Sequence, residues 1–69
     1  MSAVDDSVLR MANQIAANFC YLAPGEAAAA TANHLQSFWT PSMRRHLLDH
    51  VAAGGDGLSP VALEAARLL

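Results

Sequence analysis

The sequence predicts a small all-α protein, a bundle of three main helices followed by a short C-terminal helix. Apolar residues recur at steps of three and four, the spacing that places them on one face of a helix. Alanine, the strongest helix former, accounts for fifteen of the 69 residues. Prolines stand where helices would begin, and a glycine pair stands where one would end. No Gly/Ser linker, charge block or internal repeat divides the chain, so we expect residues 1–69 to form a single domain.

The first helix is expected over about residues 7–22. Its apolar face would consist of Val8, Met11, Ala12, Ile15, Phe19 and Leu22. Three residues at its start are suited to capping free backbone N–H groups, namely Asp5, Asp6 and Ser7. The opposite face carries Asn13 and Gln14, which are either solvated or in polar contact with a partner backbone.

The second helix is expected over residues 24–38. Pro24 restricts Ala23 to extended backbone, which would end the first helix and start the second. One stripe of this helix would consist of Ala28, Thr31, Leu35 and Phe38. Its alanine-rich first half would allow close approach by another helix.

The third helix is expected over residues 41–53, with Thr40 as N-cap and Pro41 in its first turn. It would turn Met43, Leu47 and Val51 inward. Gly54 and Gly55 would end it, because glycine adopts left-handed backbone without a Cβ penalty.

The fourth helix is expected over residues 60–68, because Ser59 and Pro60 repeat the combination of cap and proline. Its apolar face would consist of Val61, Ala65, Leu68 and Leu69. The last two leucines would be exposed unless a partner covers them.

The chain has few side chains with which to build a core. Hydrophobic residues make up 54% of it, but the alanines leave only about twenty-two larger ones. A core of this size contributes about 3–5 kcal/mol. Cys20 is the only cysteine, so no intramolecular disulfide adds to it. We therefore expect a protein partner to supply the missing stability.

Charge and hydropathy exclude several other partners. Four arginines, no lysine and six acids give a formal charge of −2, without the basic stripe that binds nucleic acid. No apolar run reaches the ~18–20 residues of a membrane span. The N-terminus is acidic where a secretory signal is basic, so the expected location is cytoplasmic.

No group of residues matches a catalytic or metal-binding motif. His46 and His50 stand one helical turn apart, a spacing that can bind a metal ion from one face of a helix. The glutamate of a zinc-protease motif is missing, and no third ligand is evident. His34 would reach these two histidines only if the second and third helices packed antiparallel. We expect both histidines at the surface or at its boundary, near a helix C-terminus where a partial positive charge is favourable. Cys20 has no base nearby in the sequence that would activate it as a nucleophile, so we expect it to be a small buried apolar residue. A single cysteine also cannot supply the four thiolates that an iron–sulfur cluster needs.

The segment around Phe38 and Trp39 is the best candidate for a partner contact. Adjacent helical side chains point in different directions, so only one of these two aromatic residues would face a small core. Arg44 and Arg45 follow shortly after, and aromatic residues and arginine are enriched at interfaces. The candidate interface residues are Asn13, Gln14, Phe38, Trp39, Pro41, Met43, Arg44 and Arg45.

Three blocks of the sequence resemble a known family. They are Met11-Ala12-Asn13-Gln14-Ile15-Ala16, then His34-Leu35-Gln36-Ser37-Phe38-Trp39-Thr40-Pro41-Ser42-Met43-Arg44, and finally Gly55-Asp56-Gly57-Leu58-Ser59-Pro60. Together they resemble the delta subunit of bacterial NAD-dependent formate dehydrogenase. The central block is the most specific.

The resemblance implies a small accessory subunit of a complex that oxidises formate to carbon dioxide and reduces NAD. It also implies that the alpha subunit carries molybdopterin guanine dinucleotide with molybdenum or tungsten, together with iron–sulfur clusters. The beta and gamma subunits would carry FMN, further clusters and the NAD site. The delta chain itself would bind no cofactor, and its main contact would be with the alpha subunit, in a complex that also contains beta and gamma. Two other functions stay open, a transient maturation chaperone of the catalytic subunit and a small helix-turn-helix regulator in which Arg44 and Arg45 read DNA.

Overall fold

The described part of the chain consists of α-helices and the turns that join them. The computed structural model describes the backbone of residues 3–69 and the side chains from Ser7 onward. Its helices are α1 (Ala3–Asn18), α2 (Pro24–Phe38), α3 (Pro41–Ala52) and α4 (Pro60–Arg67). No strand occurs among the described residues. The predicted fold class, a small all-α bundle with a short C-terminal helix, is confirmed.

Helix α1 differs from its predicted bounds of 7–22 at both ends. It begins at Ala3, so Ser7 lies inside the helix and not at its cap. Positions 5 and 6 then also lie inside the helix. The predicted capping by the side chains of Asp5 and Asp6 falls outside the described residues.

The C-terminal end of α1 is earlier than predicted because the backbone tightens there. The N–H of Phe19 donates to the carbonyl of Ala16 at 3.1 Å, and the N–H of Cys20 donates to that of Ala17 at 3.2 Å. Such bonds to the third preceding residue close a helix. Cys20 consequently lies in the turn and is exposed, which makes its predicted burial wrong.

The three later helices begin at prolines. Ala23, before Pro24, has the extended backbone that proline requires, with φ −58° and ψ 150°. The hydroxyl of Thr40 accepts the N–H of Met43 at 3.2 Å at the start of α3. The hydroxyl of Ser59 accepts the N–H of Ala62 at 3.2 Å at the start of α4. These two caps satisfy backbone donors that a helix leaves free.

Helix α3 ends in a Schellman motif. The N–H of Gly55 donates to the carbonyl of His50 at 3.0 Å, and the N–H of Gly54 donates to that of Val51 at 3.0 Å. Gly54 has φ +129° and Gly55 has φ +73°, values that favour glycine. The glycine pair therefore ends this helix by the mechanism that the sequence predicts.

Small side chains dominate the contact between α2 and α4, which is the most extensive helix pairing in the fold. The buried alanines of these helices are Ala27, Ala28, Ala32, Ala62, Ala65 and Ala66. Alanine at such a contact allows two backbones to approach closely. Thr31, fully buried on the same side of α2, donates its hydroxyl hydrogen to the carbonyl of Ala27 at 2.7 Å.

The larger apolar side chains form one cluster that joins all four helices. Its buried members are Val8, Ala12, Leu35, Trp39, Leu47 and Ala66. Met43, Val51 and Leu69 are partly buried against it. Met11, placed on the apolar face of the first helix by its spacing, is instead exposed, and Leu68 is exposed as expected of the last two leucines, whereas Leu69 is not. The core is thus as small as the composition suggests.

Candidate partner interface

The turn between α2 and α3 places the candidate interface at one corner of the bundle. We call residues 34–45 the α2–α3 corner. Helix α2 ends at Phe38, and Trp39 has extended backbone with φ −83° and ψ 147°. Thr40 is also extended and caps α3. Only these two residues separate the helices, so the end of α2 and the start of α3 lie close together.

Phe38 and Trp39 take opposite environments at this corner. Trp39 is 6% exposed and belongs to the core, whereas Phe38 is 75% exposed. The indole belongs to the core cluster that also contains Leu35 and Leu47, and the extended backbone of Trp39 takes its side chain off the helical path of α2. The structure therefore leaves Phe38, and not Trp39, at the surface available to a partner.

The exposed Phe38 ring packs on His34. Their ring centroids are 4.7 Å apart and the ring planes are inclined by 39°. Residues four apart on a helix face the same way, so this pair holds the phenyl ring against the outer surface of α2. His34 was not among the predicted interface residues, although its spacing from Phe38 is a signal visible in the sequence.

Arg44 stabilises the end of α2. Its Nη1 donates to the carbonyl oxygens of Trp39, Gln36 and Leu35, with the shortest contact to Trp39 at 2.5 Å. A cation at these carbonyls complements the negative end of the helix dipole. The guanidinium is half-buried, and its hydrogen bonds to these carbonyls link α3 to the end of α2. Arg44 is therefore not free to contact DNA, although the helix-turn-helix interpretation required it to do so.

The remaining residues of the corner divide between surface and core. Arg45, Pro41 and Ser42 are exposed. Met43 is partly buried and packs against the core cluster. Of the six interface candidates at this corner, Phe38, Pro41 and Arg45 are the ones that present exposed side chains.

Asn13 bridges α1 to the loop between α3 and α4. Its Nδ2 donates to the carbonyl of Gly57 at 2.8 Å, and its Oδ1 accepts the N–H of Ser59 at 2.9 Å. Both ends of the amide are thus bonded within the chain, where solvation or a contact with a partner backbone had been expected. Gln14 beside it is exposed.

The histidines of α3 border a shallow pocket of about 240 Å³, lined by Leu9, His46, Asp49 and His50. His50 Nε2 lies 2.6 Å from the carbonyl oxygen of Asp56. A carbonyl only accepts, so this nitrogen carries the hydrogen and donates it. Among the side chains that the structure describes, no group of three or more His, Cys, Asp or Glu residues is arranged to hold a metal ion.

These features define a small helical chain with a tight, largely alanine-built core and an exposed aromatic residue at one corner. Comparison with known protein families matches residues 7–66 to the NADH-dependent formate dehydrogenase delta subunit family, FdsD. The match spans most of the 69 residues, and the chain belongs to this family. The family's name implies association with other formate dehydrogenase subunits. Comparisons with curated proteins and with solved structures gave no match.

The helices are also short relative to a bilayer. In the region that the structure describes, none is both long enough and apolar enough to span a membrane.

Proposed function

We propose that this chain is a non-catalytic accessory subunit that stabilises or helps to assemble an NAD-dependent formate dehydrogenase, which converts formate and NAD to carbon dioxide and NADH. The observation that carries the proposal is the family match over residues 7–66. The family is defined by a subunit of that enzyme, so the chain acts in a complex.

The use of the polar side chains supports a structural role. Asn13, Arg44 and His50 each bond to backbone carbonyls of this chain, and Asn13 also accepts a backbone N–H. These side chains stabilise turns and helix ends. A small core with its polar groups engaged in this way suits a chain that adds contact area to a larger assembly.

The alpha subunit is the proposed first partner, within a complex that also contains beta and gamma subunits. The redox groups of the reaction would belong to these subunits: molybdopterin guanine dinucleotide with molybdenum or tungsten, iron–sulfur clusters, FMN and the NAD site. The composition of the delta chain supports this division, because its single cysteine falls short of the thiolates that a cluster needs.

Co-expression with and without this chain tests the proposal. The other formate dehydrogenase subunits are expressed with the tagged chain, or with a version that has a stop codon near its start. We expect the tag to retain the NAD-reducing complex, and we expect the yield of assembled complex to fall several-fold without the chain. A tag that retains no formate dehydrogenase subunit would overturn the proposal, as would an equal yield of equally stable complex without the chain.

A further inference from the structure

The loop between α3 and α4 contains Asp56, the only aspartate of this chain that is followed directly by a glycine. Asp56 and Gly57 are both exposed. In an Asp-Gly pair the backbone nitrogen of the glycine can attack the carboxyl carbon of the aspartate, because no Cβ on the glycine obstructs the approach. A reaction between neighbouring residues is therefore least hindered at this pair.

The surroundings of Gly57 leave its backbone nitrogen accessible. Gly57 has φ +86°, and an added Cβ would meet no atom within 4 Å. Its N–H donates to no carbonyl oxygen of the described residues. Asp49 differs, because it lies within α3, is followed by His50, and has a carbonyl that accepts the N–H of Ala53 at 3.1 Å. A helix would have to open there before the next backbone nitrogen could reach the carboxyl carbon.

Two side chains from other parts of the fold hold the carbonyls of the Asp-Gly pair. His50 Nε2 donates to the carbonyl of Asp56 at 2.6 Å, and Asn13 Nδ2 donates to the carbonyl of Gly57 at 2.8 Å. The attack requires rotation about the Cα–C bond of Asp56, which moves the carbonyl that His50 holds. The loop must therefore open locally before the reaction, and the bond from His50 slows it.

We propose that Asp56 is a site of spontaneous isomerisation to isoaspartate, and that this product loosens α1 from the α3–α4 loop. The nitrogen of Gly57 bonds to Cγ of Asp56, and the N–H proton leaves with the carboxyl hydroxyl as water, which closes a succinimide ring. Water then opens the ring. Addition at the former main-chain carbonyl carbon breaks its bond to nitrogen and gives isoaspartate, whereas addition at Cγ restores aspartate. One water is released and one is consumed, so no oxidant or cofactor takes part.

Isomerisation changes the two carbonyls that the fold uses at this loop. The main chain gains one methylene group between Cα of Asp56 and the nitrogen of Gly57. The carbonyl that accepts from His50 becomes part of a free carboxylate, and the carbonyl of Gly57 is displaced from Asn13. Since Asn13 also accepts the N–H of Ser59, its whole bridge from α1 to the loop is disturbed.

The test is incubation of the purified chain at neutral pH, folded in buffer and unfolded in urea, because the reaction needs no other subunit. Peptide mapping with electron-transfer fragmentation locates isoaspartate, and methylation by an isoaspartyl methyltransferase quantifies it. We expect several-fold more isoaspartate at residue 56 than at residue 49 in the folded chain, and a faster reaction in urea. D56E should form none, because glutamate would have to close a larger ring. H50A should react several-fold faster than wild type, and Q14A should match wild type.

Equal isoaspartate at residues 56 and 49 of the folded chain would overturn the inference, even if the unfolded chain reacts, because the fold would then protect the pair. An H50A rate equal to that of wild type would overturn the part assigned to His50. The isoaspartate form, separated by ion-exchange chromatography, is expected to unfold at a lower temperature than the unmodified chain, and this difference should shrink in the N13A background. Equal midpoints in the wild-type background would overturn the loosening of α1. Circular dichroism verifies that D56E and H50A retain the fold.

Discussion

The guanidinium of Arg44 donates a hydrogen bond to the carbonyl oxygen of Trp39 across the turn that joins α2 to α3. At the same corner the indole of Trp39 is buried in the core, whereas Phe38 is exposed. Arg44 and Arg45 are adjacent in the sequence but have different surroundings, because Arg44 bonds to backbone carbonyls and Arg45 is exposed. The first maintains the fold, and the second is available to a partner.

Arg44→Ala should destabilise the chain by about 1–2 kcal/mol, because three carbonyls at the end of α2 lose a charged donor. Arg44→Lys should cost less, since it keeps the charge but not the planar fork of the guanidinium. Arg45→Ala should change the free energy of unfolding by no more than about 0.5 kcal/mol. Urea unfolding followed by circular dichroism measures all three, and equal losses from the two alanine variants would contradict the division of roles.

Asn13→Ala should lower the free energy of unfolding by about 1 kcal/mol. Two hydrogen bonds to the α3–α4 loop are lost, and part of that loss is offset by the better helix propensity of alanine. Asn13→Asp should keep the bond from the N–H of Ser59, because a carboxylate accepts it, but it turns an acceptor oxygen toward the carbonyl of Gly57 in place of a donor. Gln14→Ala, on the exposed neighbour, should leave stability unchanged or slightly raised. Thermal unfolding midpoints that rank Gln14→Ala below Asn13→Ala would refute the bridge.

Gly55→Ala and Gly25→Ala should have opposite effects. Gly55 has φ +73°, and an added Cβ would lie 2.8 Å from Leu63 Cδ1. We expect a loss of about 1–3 kcal/mol from strained backbone and the shifted leucine. At Gly25, within α2, an added Cβ meets no atom within 4 Å. Alanine there should stabilise the helix by about 0.5–1 kcal/mol. Chemical denaturation compares the two, and a stabilised Gly55→Ala variant would show that α3 ends differently.

Trp39→Ala should unfold the isolated chain. Truncation of a buried tryptophan costs about 3–5 kcal/mol, which equals the whole stability expected of a core this small. Trp39→Phe should retain a cooperative transition, since it keeps an aromatic ring in the core. Phe38→Ala should keep the wild-type midpoint within a few degrees because its side chain is mostly solvated. A folded Trp39→Ala chain beside an unfolded Phe38→Ala chain would reverse the assignment of the two aromatic residues.

Local signals predicted the starts of α2, α3 and α4 and the end of α3. Pro24, Pro41 and Pro60 act on their immediate neighbours, and the glycine pair closes α3 through bonds within five residues. The end of α1 could not be read in the same way. Phe19 and Leu22 continue the helical spacing of apolar residues, yet the backbone closes at Asn18.

The candidate site was predicted only in part, because its geometry depends on tertiary contacts. The sequence indicates that one of Phe38 and Trp39 faces outward, but the choice depends on how α3 folds back after Thr40. The bridge from Asn13 to Gly57 and Ser59 spans more than forty residues and has no local signal. The contact between His34 and Phe38 does have a local signal, the four-residue spacing, but this spacing is common in helices.

Native mass spectrometry of the purified, NAD-reducing formate dehydrogenase tests the central claim most directly. We expect one copy of this chain for each catalytic subunit in the active complex, retained through size-exclusion chromatography. An active complex that lacks the chain, with the chain found only on catalytic subunit that has not yet received its cofactors, would contradict the accessory role and assign the chain to maturation instead.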